Sequence, residues 1–194
     1  MSGTIGALID RIRILEGELA AELAARRVDL AYRLENRRIV FEQDVLRRHR
    51  EMKTRLRDML LGARPLILLT APFIYGVIVP IALLDLAVAV YQAVCFPIYG
   101  IAKVKRRDYI VFDRHRLAYL NAIEKMNCAY CSYANGLFAY VSEVASRTEQ
   151  YWCPIKHAQR LAATHARYSR FADFGDAEGY QRQSEPLRRE LHES

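Results

Sequence analysis

Four side chains in the C-terminal half of the sequence have the types and spacing of metal ligands. Cys128 and Cys131 form a Cys-x-x-Cys pair, and Cys153 and His157 follow as a second pair spaced by four residues. On a helix, spacings of three and four place both members of a pair on one face. A Cys3His set suits tetrahedral zinc best and an iron–sulfur cluster second. The sequence therefore predicts a metal site at these four residues.

The distance between the two pairs limits this prediction. Asn135-Gly136 is expected to end a helix, because both residues accept left-handed backbone angles. A straight helix over residues 137–150 would then hold Cys131 and Cys153 about 20 Å apart. The site closes within one chain only if the residues after Cys131 return along the next helix, and otherwise the ligands come from two chains. The alternatives are that the cysteines are small core side chains, a redox-active pair or a disulfide.

An apolar run of 38 residues, Pro65 to Ala102, determines the class of protein. A helix needs about 20 residues to cross the hydrocarbon core of a bilayer, so the run is just long enough for two short spans. Pro80 to Asp85 is the only stretch of the run that has both a helix breaker and a charge. We therefore expect a membrane hairpin with spans near Leu66–Val79 and Leu86–Ala102, or a re-entrant hairpin that does not fully cross. The alternative is a buried helical hairpin in a soluble core.

Basic residues on both sides of the apolar run predict its orientation. Residues 46–64 carry seven Arg or Lys residues and residues 103–116 carry six, while the expected turn carries none. Because basic segments stay in the cytoplasm, a hairpin keeps both clusters inside. We expect a protein of the bacterial inner membrane with both termini in the cytoplasm, where thiols stay reduced. The net charge of +7 suits anionic lipid headgroups better than nucleic acid, because the basic residues flank the apolar run.

The N-terminal 62 residues contain an apolar repeat of eleven residues. Its five pairs of apolar residues are Leu8/Ile12, Leu19/Leu23, Leu30/Leu34, Phe41/Val45 and Met52/Leu56. Eleven residues make three turns at about 3.67 residues per turn, so the pairs follow one face of a long helix over residues 4–62. This narrow face favours a coiled coil with a second copy of the chain. The alternatives are packing on the chain's own C-terminal helices or on another subunit of a membrane complex.

These expectations combine into an all-α fold with four parts. They are a long amphipathic helix over residues 1–62, a transmembrane hairpin over 63–103, a helical head with the Cys/His cluster over 104–170 and a poorly ordered tail over 171–194. Within the head, a helix is expected from Pro154 to about Tyr168.

The function expected from this organisation is that of a membrane-anchored scaffold or interaction protein. Zinc would stabilise its cytoplasmic head, and a homo-oligomer would form through the N-terminal helix. No P-loop, dinucleotide fingerprint or nucleophile elbow is present, which argues against an enzyme of those classes. The alternative is a membrane redox or metal-sensing protein that uses the same cluster with zinc or an iron–sulfur centre.

Overall fold

The protein is mostly helical, as predicted, and the described residues include one short pair of antiparallel strands. The computed structural model describes residues 2–29, 32–35, 38–41, 43–62 and 64–193. In chain order the elements are α1 (Ser2–Asp29), β1 (Tyr32–Glu35), β2 (Arg38–Phe41), α2 (Gln43–Glu51), α3 (Leu56–Gly62), α4 (Pro65–Gly76), α5 (Ile78–Tyr99), α6 (Ala122–Trp152) and α7 (Ala177–Glu193).

The described residues divide into two compact units. The first contains the residues up to Leu61 together with Asp113–Lys125, and the second contains Gly62–Phe112 and the residues from Met126 onward. The sequence segments expected as domains are each contiguous. The structure instead groups Asp113–Lys125 with the N-terminal residues, because contacts between residues distant in sequence define a compact unit.

The first unit does not contain the single helix expected over residues 4–62. Helix α1 ends at Asp29, and β1 then pairs antiparallel with β2, with Glu35 opposite Arg38. The residues of β2 include β-branched and aromatic types, which fit a strand better than a helix. The prediction of one continuous helix is therefore wrong, although α1, α2 and α3 are helical at its two ends.

The apolar side chains of α1 are exposed. Leu8, Ile12, Leu19 and Leu23, which form the first two pairs of the eleven-residue repeat, keep 48–59% of their surface accessible. Of the third pair, Leu34 lies in β1 and Leu30 lies outside the described residues. The repeat thus continues along α1 only, and the coiled coil stays a prediction.

The apolar run forms one helical stretch, and the expected hairpin turn is wrong. Helices α4 and α5 are separated only by Val77, whose backbone is itself helical (φ −62°, ψ −17°). Pro80 lies in the first turn of α5, so its missing N–H breaks no hydrogen bond within α5, and Asp85 lies inside the same helix. In the described part of the chain, Pro65–Tyr99 is the one helix long and apolar enough to span a membrane, with a mean hydropathy of 2.4 over its most apolar window.

Helices α5 and α6 lie side by side and run in the same direction. The Tyr75 hydroxyl, just before α5, donates a hydrogen bond to the Asn127 side chain near the start of α6. At the other end, the ring of Tyr99 stacks on the ring of Tyr151, with centroids 5.1 Å apart. The core between and around them contains Ile81, Phe96, Ile101, Val104, Ile110, Ala134, Leu137, Tyr140, Val144 and Leu191.

The chain turns back after α5 and runs along both helices. Gly100 ends α5 with a positive φ of 69°, which glycine adopts without strain. The backbone N–H of Val104 donates to the side-chain oxygen of Gln92 (2.8 Å), one of the few buried polar groups of α5. We call residues 101–110 the return segment.

Gly136 lies inside α6, although Asn135-Gly136 was expected to end a helix. A Cβ atom at position 136 would lie 2.6 Å from the carbonyl oxygen of Tyr109 and 2.9 Å from the Cα of Ile110. This glycine therefore serves the close approach of the return segment and not a turn. Helix α6 runs unbroken through this position over 31 residues.

The chain after α6 also differs from expectation. Pro154 does not start a helix; Ile155 instead forms an isolated parallel bridge with Ala172. The tail expected to be poorly ordered contains α7, whose Leu187 and Leu191 are 5% and 0% exposed. These two apolar residues lie one turn apart on a mostly polar helix, and their burial packs α7 against the rest of the unit. Composition alone does not predict this packing.

The close approach at Gly136 predicts the effect of adding a methyl group. Gly136→Ala should destabilise the protein by about 1–3 kcal/mol through overpacking, although alanine favours a helix by about 1 kcal/mol elsewhere. The matched control is Gly17→Ala in α1, where a Cβ meets nothing within 4 Å. Thermal unfolding followed by circular dichroism should show a lower midpoint for Gly136→Ala only. An unchanged or higher midpoint for Gly136→Ala would contradict this packing.

Candidate functional site

The four predicted metal ligands are divided between two places along α6. Cys128 and Cys131 lie one turn apart in its first half, whereas Cys153 follows directly after its last residue. Twenty-two helical residues at 1.5 Å each separate Cys131 from Cys153 by about 33 Å. The structure therefore does not bring the four residues together within one chain. Among residues 2–29, 32–35, 38–41, 43–62 and 64–193, no group of three or more His, Cys, Asp or Glu side chains is placed to hold a metal ion.

His157 lies in the irregular segment after α6. Its backbone N–H donates to the Tyr168 hydroxyl (2.6 Å), and its ring stacks on the Tyr168 ring. Together with Lys156 and Arg160 it lines an open pocket of about 650 Å³. His157 is thus held by an aromatic contact at the surface and not by a cysteine pair.

The thiols themselves are free. Cys131 and Cys153 are exposed, while Cys128 and Cys95 are partly buried. The exposed Cys131 and its neighbour Cys128 are the only two of the predicted ligands that one helix face presents together. The metal site stays a prediction in two forms that use two chains: this pair from each chain, or this pair from one chain with Cys153 and His157 from the other.

A cluster of charged side chains connects α6 to the segment that follows it. Glu143 accepts hydrogen bonds from Arg147 (2.8 Å) and from Arg167 (2.9 Å). Arg167 also donates to the side-chain oxygen of Gln150 (2.9 Å), and Arg147 donates to the backbone oxygen of Ala102 (2.7 Å). The cluster therefore fixes both the return segment and the residues after α6 to two successive turns of the helix.

The two arginines also change the ionisation of Glu143. Burial by itself would raise the pKa of this carboxyl, but the hydrogen bonds and positive charges of Arg147 and Arg167 outweigh it and hold the pKa below its ordinary value. The ionised form is therefore the one that the fold stabilises.

Asp85, the one charged residue of the apolar run, lies against protein and not in a solvated turn. Both carboxylate oxygens accept hydrogen bonds from Arg106 of the return segment, and Oδ2 also accepts from the Tyr133 hydroxyl (2.8 Å). The Asp85 side chain is 14% exposed. Sequence reasoning missed both partners, because Arg106 and Tyr133 lie 21 and 48 residues away.

The opposite side of α5 carries an apolar surface. Every exposed residue of this helix is apolar. They are Val79, Pro80, Ala82, Leu83, Leu86, Ala87, Ala89, Val90, Ala93, Val94, Pro97 and Ile98. We call this surface the free face of α5. An apolar patch of this extent marks a surface that contacts another protein or a membrane.

Comparisons with known proteins leave the function to be argued from these surfaces. No family model, no curated protein and no solved structure matches the sequence.

The lowered pKa of Glu143 predicts a pH dependence of stability. A carboxyl with a depressed folded pKa stabilises the fold above its unfolded pKa, and this contribution is lost as the pH falls through the folded pKa. The midpoint of thermal unfolding of Glu143→Gln should therefore lie well below that of the unmodified protein at neutral pH. The gap should close as the pH falls below the range in which an ordinary glutamate carboxyl titrates. A gap that is constant with pH would show that Glu143 acts through packing and not through its charge.

Because α6 is continuous, we expect Cys131 and not Cys153 to bind zinc together with Cys128. A tetrahedral thiolate site from two chains would hold about one zinc ion per two chains, because each chain supplies two sulfurs. Elemental analysis of anaerobically purified protein should then show zinc lost in Cys131→Ser and kept in Cys153→Ser. One zinc ion per chain, lost in both variants, would contradict the site built from Cys128 and Cys131 alone and would indicate the Cys3His set, with its ligands from one chain or from two.

Proposed function

We propose that this protein is a membrane-associated scaffold that attaches to lipid through α4 and α5 and offers α1 to a partner chain. The observation that carries the proposal is the exposure of apolar side chains over the whole of Pro65–Tyr99. In water this surface would be unfavourable by about 25 cal/mol for each square ångström exposed.

Helix α4 supports lipid as the surrounding medium. Leu66, Ile67, Leu68 and Leu69 follow one another in sequence, so they point to all sides of the helix, and they are 47–71% exposed. A folded partner covers one side of a helix, whereas a fluid hydrocarbon phase covers every side. The free face of α5 extends the same apolar surface.

Helix α1 supports the scaffold part of the proposal. Its exposed Leu8, Ile12, Leu19 and Leu23 lie on a helix that also exposes Ile14, Leu15 and Val28 between its charged residues. Ion pairs between neighbours on this helix, such as Arg26 with Glu22, are on the surface and contribute little to stability. A second copy of the chain, which presents the same apolar pairs, is the partner we propose.

The basic residues support a location on the cytoplasmic face of the bacterial inner membrane. Anionic lipid headgroups attract such residues by about 1 kcal/mol each when they lie near the surface. Of the flanking cations, Arg64, Lys103, Lys105 and Arg107 are exposed. Both termini are proposed to lie in the cytoplasm, since the two basic clusters then remain on one side.

The cysteine pair supports a second candidate function. Cys128 and Cys131 on one face of α6, with Cys131 exposed, have the arrangement required for a zinc site or a redox contact between two copies. In that case the scaffold would also respond to zinc or to oxidation.

Two sets of substitutions test the scaffold proposal. Changing Leu83, Leu86 and Val90 to Gln should weaken flotation with anionic phospholipid vesicles by at least about tenfold, since burying one such side chain contributes about 1.5–3 kcal/mol. Changing Leu19 and Leu23 to Lys should leave flotation intact and abolish the oligomer detected by chemical crosslinking.

Each set is the control for the other, because both replace exposed apolar residues. Unchanged flotation of the first variant would reject attachment through α5. An unmodified protein that is monomeric at every concentration would reject the partner role of α1.

A further inference from the structure

We infer that the apolar helix lies in the plane of one leaflet and does not cross the bilayer. The inference rests on the proposed membrane association and adds its geometry. The inference is supported by two sides of the same helix, α5. One side is an apolar face, and the opposite side is covered by a protein layer that faces water.

The two sides of α5 differ along its whole length. Toward α6 and the return segment it presents Ile81, Asp85, Gln92 and Phe96, of which two are polar and hydrogen-bonded. The other side consists of the free face, which has no polar residue. A helix that crosses a bilayer draws the protein layer packed against it into the hydrocarbon core, where polar and charged groups are costly. In the plane of the membrane, the free face lies in the acyl chains, while α6 and the return segment, on the other side of α5, face water.

The return segment places charges beside the middle of the helix. Arg106 pairs with Asp85, and its neighbours Lys105 and Arg107 are exposed. If α5 crossed the membrane, these cations would be drawn into the hydrocarbon core with it, which membrane segments avoid. At the interface the same cations lie at the level of anionic headgroups, where they are favourable.

The length of the helix leads to the same geometry. Pro65–Tyr99 has 35 residues and is about 52 Å long, whereas the hydrocarbon core is about 30 Å thick. A helix in the plane of the membrane has no such limit. Basic residues precede Pro65 and follow Tyr99, and a helix in the plane leaves both clusters on one side of the membrane.

Lipid is the occupant that fits the free face best. The free face is continuous in sequence with α4, whose Leu66, Ile67, Leu68 and Leu69 are exposed on all sides of the helix, and a second copy of the chain would cover only one of these sides. The exposed cations of the return segment add charge complementarity to an anionic surface. A dimer formed through the free face is therefore an outcome of the test and not the proposal.

The depth of three labelled positions tests the geometry. In a background with all four cysteines changed to Ser, single cysteines are introduced at Leu69, Leu83 or Val94 and labelled with an environment-sensitive fluorophore. Each is exposed in the structure, and together they cover about 37 Å of helix. The labelled proteins are bound to vesicles of phosphatidylcholine and phosphatidylglycerol that contain lipids spin-labelled at two depths. A fourth label, at Arg107→Cys, is the control for a position outside the hydrocarbon.

In the plane of the membrane, the three labels should report one shallow depth, about 5–10 Å below the headgroups, and Arg107→Cys should report none. All three should also be reduced by dithionite added outside the vesicles. Depths that pass through the bilayer centre, with one end protected from dithionite, would overturn the in-plane geometry while leaving membrane association intact.

Two other outcomes separate this inference from the proposed function. Absence of vesicle binding by the unmodified protein would overturn membrane association and the in-plane helix together. Labels that are insensitive to the lipid quenchers, in a protein that dimerises without lipid, would assign the free face to a second copy.

Discussion

The close approach of the return segment to α6 is the contact on which the second unit depends. It is possible only because Gly136 has no side chain, so that the backbone of Tyr109 and Ile110 can lie directly against the helix. With the return segment in place, Arg106 reaches Asp85 and the N–H of Val104 reaches Gln92. The polar groups of an apolar helix thus obtain partners, as buried polar groups require.

This packing also explains why the two sides of α5 differ. One side is occupied by α6 and by the return segment, so its polar residues are satisfied within the protein. The other side has neither polar groups nor a protein neighbour among the described residues, and it remains exposed as an apolar surface. At the far end of α6, Glu143 and its two arginines hold the next part of the chain in place. Stability and the candidate lipid surface therefore arise from one arrangement of helices.

The predictions that depended on local sequence properties were largely correct. The helical class, the apolar run over Pro65–Ala102 and the spacing of Cys128 and Cys131 on one helix face all follow from composition and periodicity. Predictions about where a helix ends were less successful. Asn135-Gly136 and Pro80 were interpreted as breaks, yet both lie in helices, since a glycine can serve close packing and a proline in a first turn interrupts nothing.

The predicted metal site failed to assemble in one chain for the same reason. Its closure required a break between Cys131 and Cys153, and α6 is continuous from Ala122 to Trp152. Similarly, the eleven-residue repeat was compatible with one long helix, but it did not distinguish a helix from paired strands in the region of β1 and β2. Helix α7 was also not predicted, because Leu187 and Leu191 are buried only through contacts with residues far away in sequence.

By itself the sequence determined that the chain is helical, that its middle is apolar and that positive charge borders that middle on both sides. These are properties of composition and short-range periodicity, which depend on each residue and its near neighbours. Only the tertiary structure decided that Asp85 is paired, that α5 has a covered and a free side, and that the cysteine pairs are far apart. The physical reason is that these outcomes depend on contacts between residues tens of positions apart, which a local pattern does not encode.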